Sequence, residues 1–162
     1  MQKELHSLIK NIIKGKHLLV KLRRSKQYNP SVCISFFRKQ FYINMGLFFY
    51  PGILHEDELF TLTGILLAKR TTFINKKYYY YRMHGSSITH RKRNIKNLYG
   101  CLISYCGMVN KFNGVKFEKS VKKAIKKTKN NLKKVIKKIM KVLSKNEKKS
   151  LSLILANDQK KI

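Results

Sequence analysis

From Val121 to Val142 the chain repeats one pattern. Val121, Ile125, Thr128, Leu132, Val135, Ile139 and Val142 fall at intervals of 4, 3, 4, 3, 4 and 3, with lysines at most positions between them. Side chains three and four apart share one face of an α-helix. This stretch therefore has to be a helix with one seam to bury, and its seven-residue period predicts a coiled-coil-like contact. The opposite face is almost all lysine. It suits an anionic membrane surface, or it is simply the solvated side of a helix whose seam packs on the rest of the domain. A second short apolar run, Leu151 to Ala156, follows.

The remainder is patterned differently. Residues 2–24 read as a basic amphipathic helix, broken at Gly15, with Leu5, Leu8, Ile9, Ile12 and Ile13 on one face. Asn29-Pro30 ends that segment. Ser31 can cap a second helix with Cys33, Phe36, Phe37 and Phe41 inward. Pro51-Gly52 is a turn. After it, His55-Glu56-Asp57-Glu58 places acids where a helix dipole favours them, so a helix is expected over 56–68. Thr71 to Tyr81 is β-branched and aromatic and reads as one or two strands, with alternate tyrosines of 78–81 buried. Residues 82–90 form a polar loop. Residues 93–111 read as a helix interrupted near Gly107. The chain divides into residues 1–114 and a lysine-rich helical tail, 115–162.

Charge narrows the partners more than the fold. Thirty-seven Lys and Arg face seven Asp and Glu, a formal net charge of +30. Such a field draws polyanions, and part of the lysine excess fits an AT-rich coding sequence. Nucleic acid is the weaker class of partner: no binding motif is present, and the aromatics avoid the basic tail. Cys33, Cys101 and Cys106 lack metal-site spacing and read as reduced, buried thiols of a cytoplasmic chain. Met1 to Lys14 is not a signal peptide, and no run approaches the roughly 18 apolar residues of a spanning helix.

Three of the seven acids, Glu56, Asp57 and Glu58, are consecutive. Drift toward lysine would not spare one tripeptide. A helix-capping role explains them in part. Their position after an aromatic segment and a turn, and ahead of a loop holding Arg82, His84, Ser86 and Ser87, suggests a polar cleft where a carboxylate can act as a general base.

Here the sequence resembles a family. Phe36-Phe37-Arg38-Lys39-Gln40-Phe41, then Gly46-Leu47-Phe48-Phe49-Tyr50-Pro51-Gly52-Ile53-Leu54-His55-Glu56-Asp57-Glu58-Leu59-Phe60, and Tyr78-Tyr79-Tyr80-Tyr81-Arg82-Met83-His84-Gly85-Ser86-Ser87-Ile88-Thr89 follow the pattern of family 2 glycosyltransferases of capsule and lipopolysaccharide synthesis, in order and in separation. The resemblance covers about residues 30–90. It implies an α/β fragment, mostly helical: the C-terminal half of the Rossmann-like glycosyltransferase A fold, with a short sheet remnant and a long basic C-terminal helix. It implies an inverting transfer of sugar from a nucleotide-sugar donor to a growing surface glycan. Asp57 is then the catalytic base, with Glu56 positioning it or touching the acceptor. Arg82 and His84 approach the donor diphosphate, Ser86 and Ser87 donate hydrogen bonds to phosphate, and His55 is a further substrate contact.

The chain also departs from the family. Asp57 and Asp158 are its only aspartates, so the Asp-x-Asp motif that holds Mg or Mn and the nucleotide sugar is missing, as is any Gly-rich phosphate loop. The expectation is a truncated or split product, inactive without a second chain supplying the donor half. Its acceptor would be a glycan or a lipid-linked glycan, met in the cytoplasm or against the inner face of the membrane. The alternative is a basic, non-catalytic protein that binds anionic membrane or nucleic acid.

Overall fold

The structure, a computed structural model, describes residues 12–74, 76–82 and 92–159. Its elements are α1 (Gly15–Arg24), a 3₁₀ turn (Val32–Ile34), α2 (Lys39–Asn44), α3 (Glu56–Leu67), α4 (Ile95–Phe112), α5 (Lys119–Val142) and α6 (Lys145–Gln159). Four of these close a ring: α1 packs on α3, α3 on α4, α4 on α5 and α5 back on α1, while α6 lies on α4. The core fills that ring, with Leu19 from α1, Leu62 and Leu66 from α3, Leu98, Cys101 and Met108 from α4, and Val121 to Ile139 from α5. Residues of the lysine-rich stretch thus share one core with the rest of the chain. Among the described residues no helix is long and apolar enough to cross a membrane.

α5 buries five of the seven seam residues expected, and its apolar stripe leaves the heptad at Val135 and Val142. Val121, Ala124, Ile125, Thr128, Leu132, Ile136, Ile139 and Leu143 are buried, whereas Val135 is only half-buried and Val142 is 58% exposed. Val121, Leu132 and Leu143 are eleven residues apart, a period of about 3.67 residues per turn. Contact with α1 and α4 at once, rather than with one supercoiling partner, lets the helix keep its natural twist, and the buried stripe drifts off the heptad.

Two glycines set the packing of α3. A Cβ on Gly15 would sit 1.8 Å from the carbonyl oxygen of Ile65, and one on Gly100 would sit 1.8 Å from that of Leu54. Gly15 N–H donates to the carbonyl of Ala68 at 2.8 Å. The start of α1 therefore docks on the last carbonyls of α3, and α4 presses on the turn that leads into it. This is why the described part of the N-terminal segment turns helical only at Gly15. Residues 2–11 lie outside the described residues.

The expected sheet remnant is not formed. Among the described residues there is no strand, only a single antiparallel bridge in which Ile13 and Thr71 exchange hydrogen bonds of 2.9 and 2.8 Å. The segment 76–82 is irregular, and Tyr78 to Tyr81 are all exposed rather than alternately buried. High β-propensity needs a neighbouring strand to satisfy its backbone, and 71–82 finds none beyond that bridge. The helix expected from Ser31 is likewise replaced. Ser31 leads only into the 3₁₀ turn, Ser35 is extended, and α2 starts at Lys39. Phe36 is consequently 80% exposed instead of inward. α4 runs through Gly107 without a break, because the missing side chain there makes room for Leu59 of α3. Only Cys101 of the three free thiols is buried, since Cys33 falls in the exposed 3₁₀ turn and Cys106 on the outer face of α4.

Candidate functional site

α3 begins at the acidic tripeptide. Its N-cap, His55, is left-handed at φ +66°, a conformation costing a non-glycine residue roughly 1–2 kcal/mol. Neighbouring groups hold it there. Ser104 Oγ donates to the His55 carbonyl at 2.8 Å, and the Asn97 amide lies 3.3 Å from His55 Nε2. Asn97, Gly100 and Ser104 stand at i, i+3 and i+7, on one face of α4. The glycine lets the backbone of Leu54 approach while the polar residues a turn either side grip His55. That face of α4 fixes where the three acids start. α4 is itself anchored just ahead of this face by a capping box between Asn94 and Asn97.

The acids then diverge. Glu56 lines a cavity of about 240 Å³ walled by Phe48, Phe49, Tyr50, Leu59 and Phe60, with Ser104 also at its wall. Phe49 stacks on Phe60 with ring centroids 4.2 Å apart, and Phe37 meets Phe60 edge-on at 5.6 Å. Asp57, next to Glu56 in sequence, is half-buried, and its side chain is not part of the cavity lining. Burial raises its carboxyl above the ordinary range, and the neighbouring Glu56 charge pushes the same way. His55 and the backbone N–H groups of Asp57 and Glu58 pull it back down. Burial lowers the His55 ring below its usual value, against the opposing pull of Asp57.

Glu58 is not a solvated helix residue. It faces inward toward Arg23 of α1, and burial followed by the charge of Asp57 pushes its carboxyl up to about 7. Around it lie groups that burial also perturbs. Arg23 is lowered, Tyr28 is raised well above the phenol range, and the Cys101 thiol is pushed up to about 12. The Arg23 guanidinium sits 4.6 Å over the Tyr28 ring, and Arg23 Nε and Nη2 and the Tyr28 hydroxyl are buried without a hydrogen-bond partner.

A carboxyl raised from 4.5 to about 7 on folding stabilises the folded chain fully below pH 4.5. That contribution is lost as pH rises through 7. Glu58→Gln should therefore leave stability unchanged near pH 4 and raise it by on the order of 1–2 kcal/mol at pH 8, the residual exposure of Glu58 discounting the full shift. Urea titrations of both proteins across that range measure it. A variant weaker than the parent at pH 8 would mean that Arg23 depends on the ionised acid.

Of the sequence-derived site residues, His55, Glu56 and Asp57 come together at the start of α3. Arg82 is exposed at the end of a described segment, and the charges acting on Asp57 are those of Glu56 and His55. His84, Ser86 and Ser87 lie outside the described residues. The donor set does not suit a divalent metal. Glu56 faces the cavity and Glu58 the core, and among the described residues no three His, Cys, Asp or Glu side chains are grouped to hold an ion. Asn97 and Ser104 were missed from sequence. Their signal was present as small and polar residues at helical spacing on a largely apolar helix. Comparison with protein-family models, with curated proteins and with solved structures finds no match to this chain.

Proposed function

We infer that the chain is the acceptor-side half of an inverting family 2 glycosyltransferase, with Asp57 as the base. The observation that carries this reading is an acidic tripeptide opening α3 behind a left-handed cap, its first member Glu56 in the wall of an aromatic cavity, in a chain otherwise almost without acids. Asp57 takes the proton of an acceptor hydroxyl as that oxygen bonds to the anomeric carbon. The bond from that carbon to the diphosphate breaks on the opposite face, and the diphosphate leaves with its electron pair. A carboxyl whose proton affinity is raised by burial and by the neighbouring Glu56 charge is suited to receive that proton. Glu56, in the cavity wall, hydrogen-bonds acceptor hydroxyls, and aromatic walls suit the C–H face of a sugar ring. Arg82, His84, Ser86 and Ser87 serve the leaving diphosphate.

The donor half is carried elsewhere, since Asp-x-Asp is absent from these 162 residues. The exposed aromatic surface supports such a division. Phe36 meets Tyr78 edge-on at 6.4 Å, and with Tyr79, Tyr80, Tyr81 and Phe48 these rings stand in solvent where a second half would cover them. The adjoining DNA tests this: a segment encoding Asp-x-Asp should precede Met1, in frame or frameshifted. Unrelated sequence there, with no such segment at the locus, would contradict the reading.

A further inference from the structure

A second cavity, of about 500 Å³, opens between the end of α4, the loop 113–118 and the first half of α5. It is lined by Tyr105, Phe112, Phe117 and Ile125 on its apolar side and by Lys116, Lys122, Lys126 and Lys129 on its polar side. No acid lines it. The nearest one in sequence, Glu118, is turned away to Lys16 and His17 of α1, where the hydrogen bond and then the charge of Lys16 hold its carboxyl below the usual range. The four lysines are therefore uncompensated. Their row continues along α5 as Lys133 and Lys137, and like charges four apart, such as Lys122 with Lys126 and Lys129 with Lys133, repel. An anion delivered from outside relieves that repulsion.

We propose that this groove and the lysine row beyond it are the docking site for an anionic phospholipid surface, phosphate on the lysines and glycerol with the first methylenes on the aromatic side. The rings argue against nucleic acid as the occupant. Tyr105, Phe112 and Phe117 are half-buried and packed against the core, with Phe112 and Phe117 turned 61° to each other, so they do not form a row of parallel platforms on which successive bases could stack. The apolar stripe of α5 is consumed by the core, so the helix binds at headgroup level and does not insert. Attachment is then electrostatic, roughly tenfold or less per lysine. This inference stands independently of the sugar-transfer reading.

Sedimentation with vesicles of 30:70 phosphatidylglycerol to phosphatidylcholine at physiological salt tests it. The chain should partition to these and not to pure phosphatidylcholine. Lys122→Gln, Lys126→Gln and Lys129→Gln together should weaken partition about 100-fold. Removing three lysines from outside the groove, Lys134, Lys138 and Lys141, should cost much less. Val115→Trp, at a half-exposed site on the groove rim in a chain without tryptophan, should blue-shift its emission with anionic vesicles only. Equal losses from the two triple variants, no partition at all, or tighter binding to single-stranded RNA than to vesicles at the same salt would each overturn the proposal.

Discussion

Gly100→Ala should destabilise the chain by about 3 kcal/mol, read as a fall of roughly 6–12 °C in Tm. The added carbon would stand 1.8 Å from the carbonyl oxygen of Leu54 and 2.8 Å from its carbon. Both are backbone atoms, with no side chain free to swing aside, so α4 must lift off the turn before α3. That movement also withdraws Ser104 from the His55 carbonyl and Asn97 from its ring, releasing the left-handed cap. Gly46 is the control. It has φ +57° and nothing within 4 Å of an added Cβ, so Gly46→Ala meets only backbone strain, roughly 1 kcal/mol. Equal melting temperatures for the two variants would mean that α4 does not hold the acids where the structure places them.

Much of this arrangement was legible beforehand. The helix expected over 56–68 is found as Glu56–Leu67, because acids at a helix start and the basic pair Lys69-Arg70 after it mark both ends without help from elsewhere. α5 was legible as a helix and in most of its seam, but not at Val135 and Val142. Spacing of 3 and 4 is compatible with either seam, and contact with two helices at once decides for Ile136 over Val135. The strands over 71–81 failed for the opposite reason: propensity is local, but a strand's hydrogen bonds lie on another segment. The left-handed His55 was illegible, since nothing in a histidine signals positive φ and the groups that hold it are 42 and 49 positions away. The inward turn of Glu58 was hidden in the same way. Three adjacent acids look alike in sequence, and only the helix phase sends Glu56 to the cavity and Glu58 toward Arg23.

Asp57→Asn carries the second large effect. Asparagine keeps the size of the side chain and its capacity to accept from the backbone N–H groups of 57 and 58, but cannot accept the acceptor's proton. Removing a positioned general base costs about 10²–10⁴-fold in rate, or about 3–5 kcal/mol of transition-state stabilisation. Stability should not fall, because the ionised form of the half-buried carboxyl is already disfavoured by burial and by Glu56. On the proposed reading the loss should fall on kcat rather than KM, since that reading gives acceptor binding to Glu56 and the aromatic walls.

The most direct test of the proposed sugar transfer is kcat for the chain combined with an Asp-x-Asp polypeptide encoded beside it, comparing the parent with Asp57→Asn and following both melting temperatures. The account predicts a folded variant slowed at least 100-fold with KM little changed. A folded Asp57→Asn complex that transfers sugar at the parental rate would contradict it.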